Sequence, residues 1–116
     1  MVKNNNINKY IISELKKFKF NTTSLGFKYI KYAIEIGIEN EELLKNFNNG
    51  LYLKIQDELN IDIKWNIEKS IDYMYLNTNV NFLIDYFTLD INQKITPKLF
   101  ITTIIENYDI NKNFTY

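Results

Sequence analysis

The chain reads as an all-α protein, a compact bundle of six or seven helices that contains a helix-turn-helix. Three features point there. Apolar residues recur at three- and four-residue spacing through most of the 116 residues. The breaks between periodic segments are short and rich in Asn, Thr and Gly. Residues 51–76, LYLKIQDELNIDIKWNIEKSIDYMYL, divide into two amphipathic helices with only Asn60-Ile61-Asp62 between them. So short a join keeps the helices from lying antiparallel, and they should cross steeply.

Taken in order, residues 1–6 are polar and expected to be flexible. Ile7, Tyr10, Ile11, Leu15 and Phe18 predict a first helix over about 6–18. FNTTSLG breaks it, with Thr23 or Ser24 available to cap the next. From Leu25 to Ile38 apolar residues cover most of the circumference and leave a narrow polar stripe of Lys28, Lys31, Glu35 and Glu39, the pattern of a helix surrounded by others. ENEELLKNF predicts a third helix ending near Phe47, stopped by Asn48-Asn49-Gly50.

In the helix-turn-helix, Leu51, Tyr52, Ile55 and Leu59 share one face of the first helix. Ile63, Ile67, Ile71 and Met74 share one face of the second, with Asp62 placed to cap it. Val80, Leu83, Ile84 and Phe87 predict a further short helix of core character. The alternation of Leu89 and Ile91 is compatible with one strand within 88–95. Thr96 as cap and Pro97 at the first helical position open a last helix through Phe100, Ile101, Ile104, Ile105 and Tyr108. Residues 110–116 read as tail, and no linker or repeat divides the chain, so a single domain is expected over 1–116.

Composition narrows the chemistry. The chain has no cysteine and no histidine, which removes disulfides, thiolate nucleophiles, the usual zinc sites and imidazole acid–base catalysis. The carboxylates are scattered and form no calcium-binding loop, so no metal or other cofactor is expected, and an enzyme is disfavoured. All 14 basic residues are lysine, and alanine occurs once, at Ala33, a bias that the codons of an AT-rich bacterium produce. The missing arginine removes the side chain best suited to bidentate contact with guanine or phosphate. No apolar run is long enough to cross a bilayer, and MVKNNNINKY lacks the core of a signal peptide, so a cytoplasmic location is expected.

The second helix of the motif projects Trp65, Asn66, Glu68, Lys69, Asp72 and Tyr73 outward. Those side chains offer Asn66 for adenine, Lys69 for guanine or phosphate and Glu68 for cytosine. The alternative is a solvated face on which Lys64, Glu68 and Asp72 are i,i+4 charge neighbours. Trp65 either meets thymine methyls and sugars or packs on the preceding turn, and the Tyr73 hydroxyl either reaches a phosphate or does not.

Charge within the motif opposes DNA. Residues 51–79 carry two more acids than lysines, whereas residues 1–34 hold six more lysines than acids. If the first helix ends beside the second helix of the motif, Lys16, Lys17 and Lys19 grip phosphates with Lys64. If it ends opposite, the basic end serves another partner or solubility.

In the order and spacing of these elements, from about Ile7 to Tyr108, the chain resembles the C-terminal DNA-binding domain of the sporulation master response regulator of endospore-forming bacteria. The resemblance is carried by Ile7-Asn8-Lys9-Tyr10-Ile11-Ile12, Gly26-Phe27-Lys28-Tyr29-Ile30, Glu42-Leu43-Leu44, Leu51-Tyr52, Ile67-Glu68-Lys69-Ser70-Ile71, and Lys94-Ile95-Thr96 with Phe100-Ile101. It implies a six-helix fold whose helix from Asp62 lies in the DNA major groove. By position Glu68 matches the family glutamate, Lys69 stands where an arginine is usual, and Asn66 and Asp72 replace arginines.

Further implications concern partners. Lys94 falls in a loop that adds a backbone contact, and a surface near Phe87 meets RNA polymerase. Neighbouring domains touch when bound in tandem, so a homodimer or tandem arrangement is expected. The family domain normally follows a receiver, for which this chain has no room, so a stand-alone regulator is expected.

Two function classes therefore stand. The first is a sporulation-related transcriptional regulator that binds double-stranded DNA through helix 62–76. The second is a protein-interaction module that kept the fold without DNA binding, as adaptor or antagonist of a transcription factor or polymerase.

Overall fold

The computed structural model describes residues 5–90 and 92–114. Among these, six α-helices follow one another: α1 (Asn5–Leu15), α2 (Leu25–Glu39), α3 (Leu53–Leu59), α4 (Lys64–Asn77), α5 (Val80–Phe87) and α6 (Pro97–Phe114). No strand occurs among the described residues. The all-α, helix-turn-helix-containing bundle is therefore the fold observed.

α2 is the central element and packs against α1, α4 and α6. Ser24 starts it, its hydroxyl accepting the Phe27 N–H at 3.2 Å. Ile30, Ala33 and Ile34 are completely buried along it. Opposite them α6 supplies Phe100, Ile101 and Ile104, also completely buried, and starts as expected with the Thr96 hydroxyl accepting the Leu99 N–H at 3.1 Å. The Tyr10 hydroxyl donates to the Ile104 carbonyl at 2.6 Å and ties α1 to α6.

After α1 the chain plunges inward at Phe18. Its ring lies 5.0 Å from that of Phe100 and 5.1 Å from that of Tyr86, both edge to face, a favoured aromatic arrangement. That burial ends α1 at Leu15, short of the expected Phe18, and fixes the course of the loop that follows.

Several expectations are corrected. ENEELLKNF forms only a 3-10 turn, Glu41–Leu44, and Phe47–Tyr52 is a wide π turn that runs directly into α3. Asn48-Asn49-Gly50 is thus inside a helical segment and does not stop one. Gly50 is required there because the Leu43 carbonyl occupies the space a side chain would fill. The segment from Thr88 carries two left-handed residues, Thr88 (φ 53°) and Asn92 (φ 68°), which prevent an extended strand. Ile91 lies outside the described residues.

Leu25, Leu59, Val80 and Ile84, counted with core faces from their spacing, are exposed: helical spacing sets the face a residue shares but not whether another element packs on it. Asn5 and Asn6 belong to α1, and residues 110–114, expected as tail, continue α6.

Candidate nucleic-acid interface

α3 ends where Asn60 adopts the left-handed conformation (φ 56°, ψ 37°), which Asn tolerates better than most residues. The Asp62 carboxylate then accepts the Lys64 N–H at 3.1 Å. Ile63, completely buried, plugs the turn into the core, and its carbonyl accepts the Ile67 N–H at 3.0 Å as the first rung of α4. The turn therefore comprises residues 60–63, one longer than expected. Asp62 supports the start of α4, which begins at Lys64 and runs to Asn77.

Ile67, Ser70, Ile71 and Met74 seat α4 in the core. On one flank it meets the first turn of α2 so closely that the Asn66 carbonyl occupies the place of a side chain at Gly26. At its far end Thr78 caps α4, its N–H donating to the Met74 carbonyl at 2.9 Å. The Thr78 hydroxyl in turn accepts the Lys19 backbone N–H at 2.9 Å. The helix is anchored at its start, its flank and its end.

The opposite face is open. Trp65, Lys69, Asp72 and Leu76 follow one another along its centre at four- and three-residue spacing, and all are exposed. Trp65, 63% exposed, does not pack on the preceding turn; the Lys69 ammonium stands 5.7 Å from its ring centroid, a cation–π contact. Glu68 and Tyr73 are exposed at the two margins. Asn66 is half-buried and turned toward α2, in a cleft shared with Ser24, Gly26, Lys69 and Ser70. Leu76, 81% exposed in the centre of this face, was not anticipated; its place four residues after Asp72 was the signal for it.

The lysines divide. Lys19 is carried to the C-terminal end of α4 by its backbone bond to Thr78. Lys17 pairs with Glu14 at 2.8 Å, and Glu14 also accepts the Tyr86 hydroxyl at 2.5 Å. Lys16 borders a groove between α1 and α2 with Ile12, Phe27 and Lys31. Lys64 and Lys94 are exposed. Among the described residues, neither Lys64 nor Lys69 forms an ion pair, so Lys64, Glu68 and Asp72 are not locked together as i,i+4 neighbours.

On the second flank of α4, Lys64 and Glu68 face Tyr52, Thr96 and Lys98 across a cleft of about 240 Å³. Burial pushes the Tyr52 hydroxyl above its ordinary pKa of 10, and the negative charge of Glu68 adds to the shift. Lys98, which the sequence reading did not single out, is exposed there. Its only signal was its place one residue after the Pro97 helix start.

No cluster of metal-ligating side chains occurs among the described residues, and no helix there is long and apolar enough to cross a membrane.

A buried-core helix-turn-helix whose second helix presents a free face is the arrangement with which many DNA-binding domains enter the major groove. A family model described as "Sporulation initiation factor Spo0A C terminal" matches residues 11–108. The chain belongs to that family of DNA-binding regulatory domains, as the residues from Ile7 to Tyr108 led us to expect, and the family is not an enzyme class. No curated protein matches the chain.

Proposed function

We propose that these 116 residues suffice to bind duplex DNA in the cytoplasm and regulate transcription, with α4 in the major groove. The observation that carries this reading is the exposed face of a helix held at both ends and along one flank. Lys69 and Trp65 sit at its centre, for guanine acceptors and thymine methyls, with Glu68 for cytosine at one margin. Tyr73 contributes from the other margin, and half-buried Asn66 is the least available of the five. Lys64 and Lys19 flank the two ends of α4 for phosphate contact, and Lys94, Lys16 and Lys17 complete the basic set.

The chain carries as many acids as lysines, so one copy should bind weakly and with steep salt dependence. Paired sites filled by two copies are therefore expected. Phe87 itself is buried, so a contact with RNA polymerase through α5 would be made by the exposed Val80 and Ile84.

Selection of bound duplexes from a random pool tests this reading. An enriched motif supports it; a pool without enrichment sinks it.

One observation favours a second reading as a protein-interaction module. Leu76 and Trp65 expose apolar surface on the same face of α4. If selection enriches nothing, that face is where a protein partner is to be sought.

A further inference from the structure

We infer that the cleft between α4 and the start of α6 is a phosphate-binding site, formed by Tyr52, Lys64, Lys98 and the Lys98 backbone amide. On DNA it would hold one backbone phosphate beside α4, and that assignment of the phosphate's source rests on the proposed function.

The cleft is rich in donors. Tyr52, only 4% exposed, lines the cleft, and its buried hydroxyl, close enough to Glu68 to feel that charge, has no hydrogen-bond partner. A buried hydroxyl left unpaired is costly, so a ligand acceptor within reach would be stabilising. Lys64 and Lys98 are exposed and, among the described residues, paired with no carboxylate.

The start of α6, an 18-residue helix, supplies the rest. Leu99 N–H is taken by the Thr96 hydroxyl and Phe100 N–H by the Thr96 carbonyl. Pro97 has no N–H, so the Lys98 amide is the donor left at a helix end that carries partial positive charge.

Against two ammonium groups and the helix end stands one carboxylate, Glu68. The balance is positive, which suits an oxyanion and not a cation. With room for several waters or one tetrahedral group, the cleft accommodates phosphate. Its position on the flank of α4, beyond the outward face, is where a strand backbone passes when a helix enters the groove.

The presence of Glu68 gives the test a sign. Inorganic phosphate titrated into the full chain should shift the amide NMR signals of Lys98 and Lys64 before others, and Glu68→Gln should tighten that binding. In duplex titrations at several salt concentrations, Lys98→Ala should weaken binding roughly three- to tenfold on selected and scrambled sequences alike. It should also lower the salt slope by about one. Tyr52→Phe should weaken both phosphate and duplex binding without lowering the urea unfolding midpoint, because it removes an unsatisfied hydroxyl.

If wild type reads DNA yet Lys98→Ala is neutral and phosphate moves no cleft amide, the inference is overturned while the DNA reading stands. If wild type binds no duplex yet phosphate moves the cleft amides with the Glu68 and Tyr52 effects, the site stands as one for free phosphate. Neither duplex binding nor a phosphate response would overturn both.

Discussion

The backbone carbonyl of Asn66 stands where a side chain on Gly26 would have to go, and the Ser70 Cβ lies 2.7 Å from the same position. α4 is thus set against α2 by direct approach of the Asn66 backbone, with only the small Ser70 side chain beside it. Flexible side chains can yield to a neighbour; a carbonyl inside a helix cannot without moving the helix.

Gly26→Ala tests that seating through its sign. In an ordinary helix the change is favourable by about 1 kcal/mol. Here it should destabilise by roughly 1–3 kcal/mol, as overpacking does, and lower the urea midpoint. Duplex binding should fall with it, since α4 must shift. A midpoint equal to or above wild type would show that the two helices do not approach as described.

Trp65 is the one tryptophan of the chain and lies exposed beneath the Lys69 ammonium. Its fluorescence should therefore be open to iodide quenching in the free protein and shielded when a selected duplex is added. Trp65→Ala should change stability by less than about 0.5 kcal/mol, as exposed substitutions usually do, while weakening duplex binding. Quenching that DNA leaves unchanged would place the nucleic acid elsewhere.

The Tyr32 hydroxyl donates to the Glu58 carboxylate, which Lys54 also meets at 3.0 Å. The bond to Glu58, with burial and the nearby charge, pushes Tyr32 up to about 12, and the same bond, with Lys54, holds Glu58 below its usual 4.5. For Tyr32 the raised value means stability that is complete below pH 10 and lost as pH rises from 10 toward about 12. For Glu58 the lowered value means stability present above its usual range and lost as pH falls through the depressed value. Urea midpoints of wild type and Tyr32→Phe should differ at neutral pH and converge at both extremes. A difference independent of pH would contradict the pairing.

Much of this was legible in the sequence where one residue fixes one local event. Ser24 and Thr96 cap as their spacing indicated, and Ile67, Ile71 and Met74 bury together because four- and three-residue spacing forces them to one side of a helix. What escaped depends on contacts distant in sequence. Periodicity assigns Val80 and Ile84 to one face but does not say whether another element covers it.

The same limit applies around α4. Spacing places Asn66 near Lys69 and Tyr73, yet only the approach of Gly26 decides that its flank is occupied. The three lysines after α1 are neighbours in sequence. The burial of Phe18 sends Lys19 to α4 and leaves Lys17 with Glu14. The π turn was invisible because Phe47, Leu51 and Tyr52 keep a helical apolar spacing whether the turn is tight or wide.

The central claim is that the outward face of α4 reads bases, and Lys69 is its most direct probe. Wild type and Lys69→Ala should be titrated against a selected duplex and a scrambled one of equal length at the same salt. If α4 reads sequence, Lys69→Ala lowers the preference for the selected duplex by roughly 1–3 kcal/mol, the range of one base contact. An unchanged preference, with both duplexes weakened equally or not at all, would contradict the account.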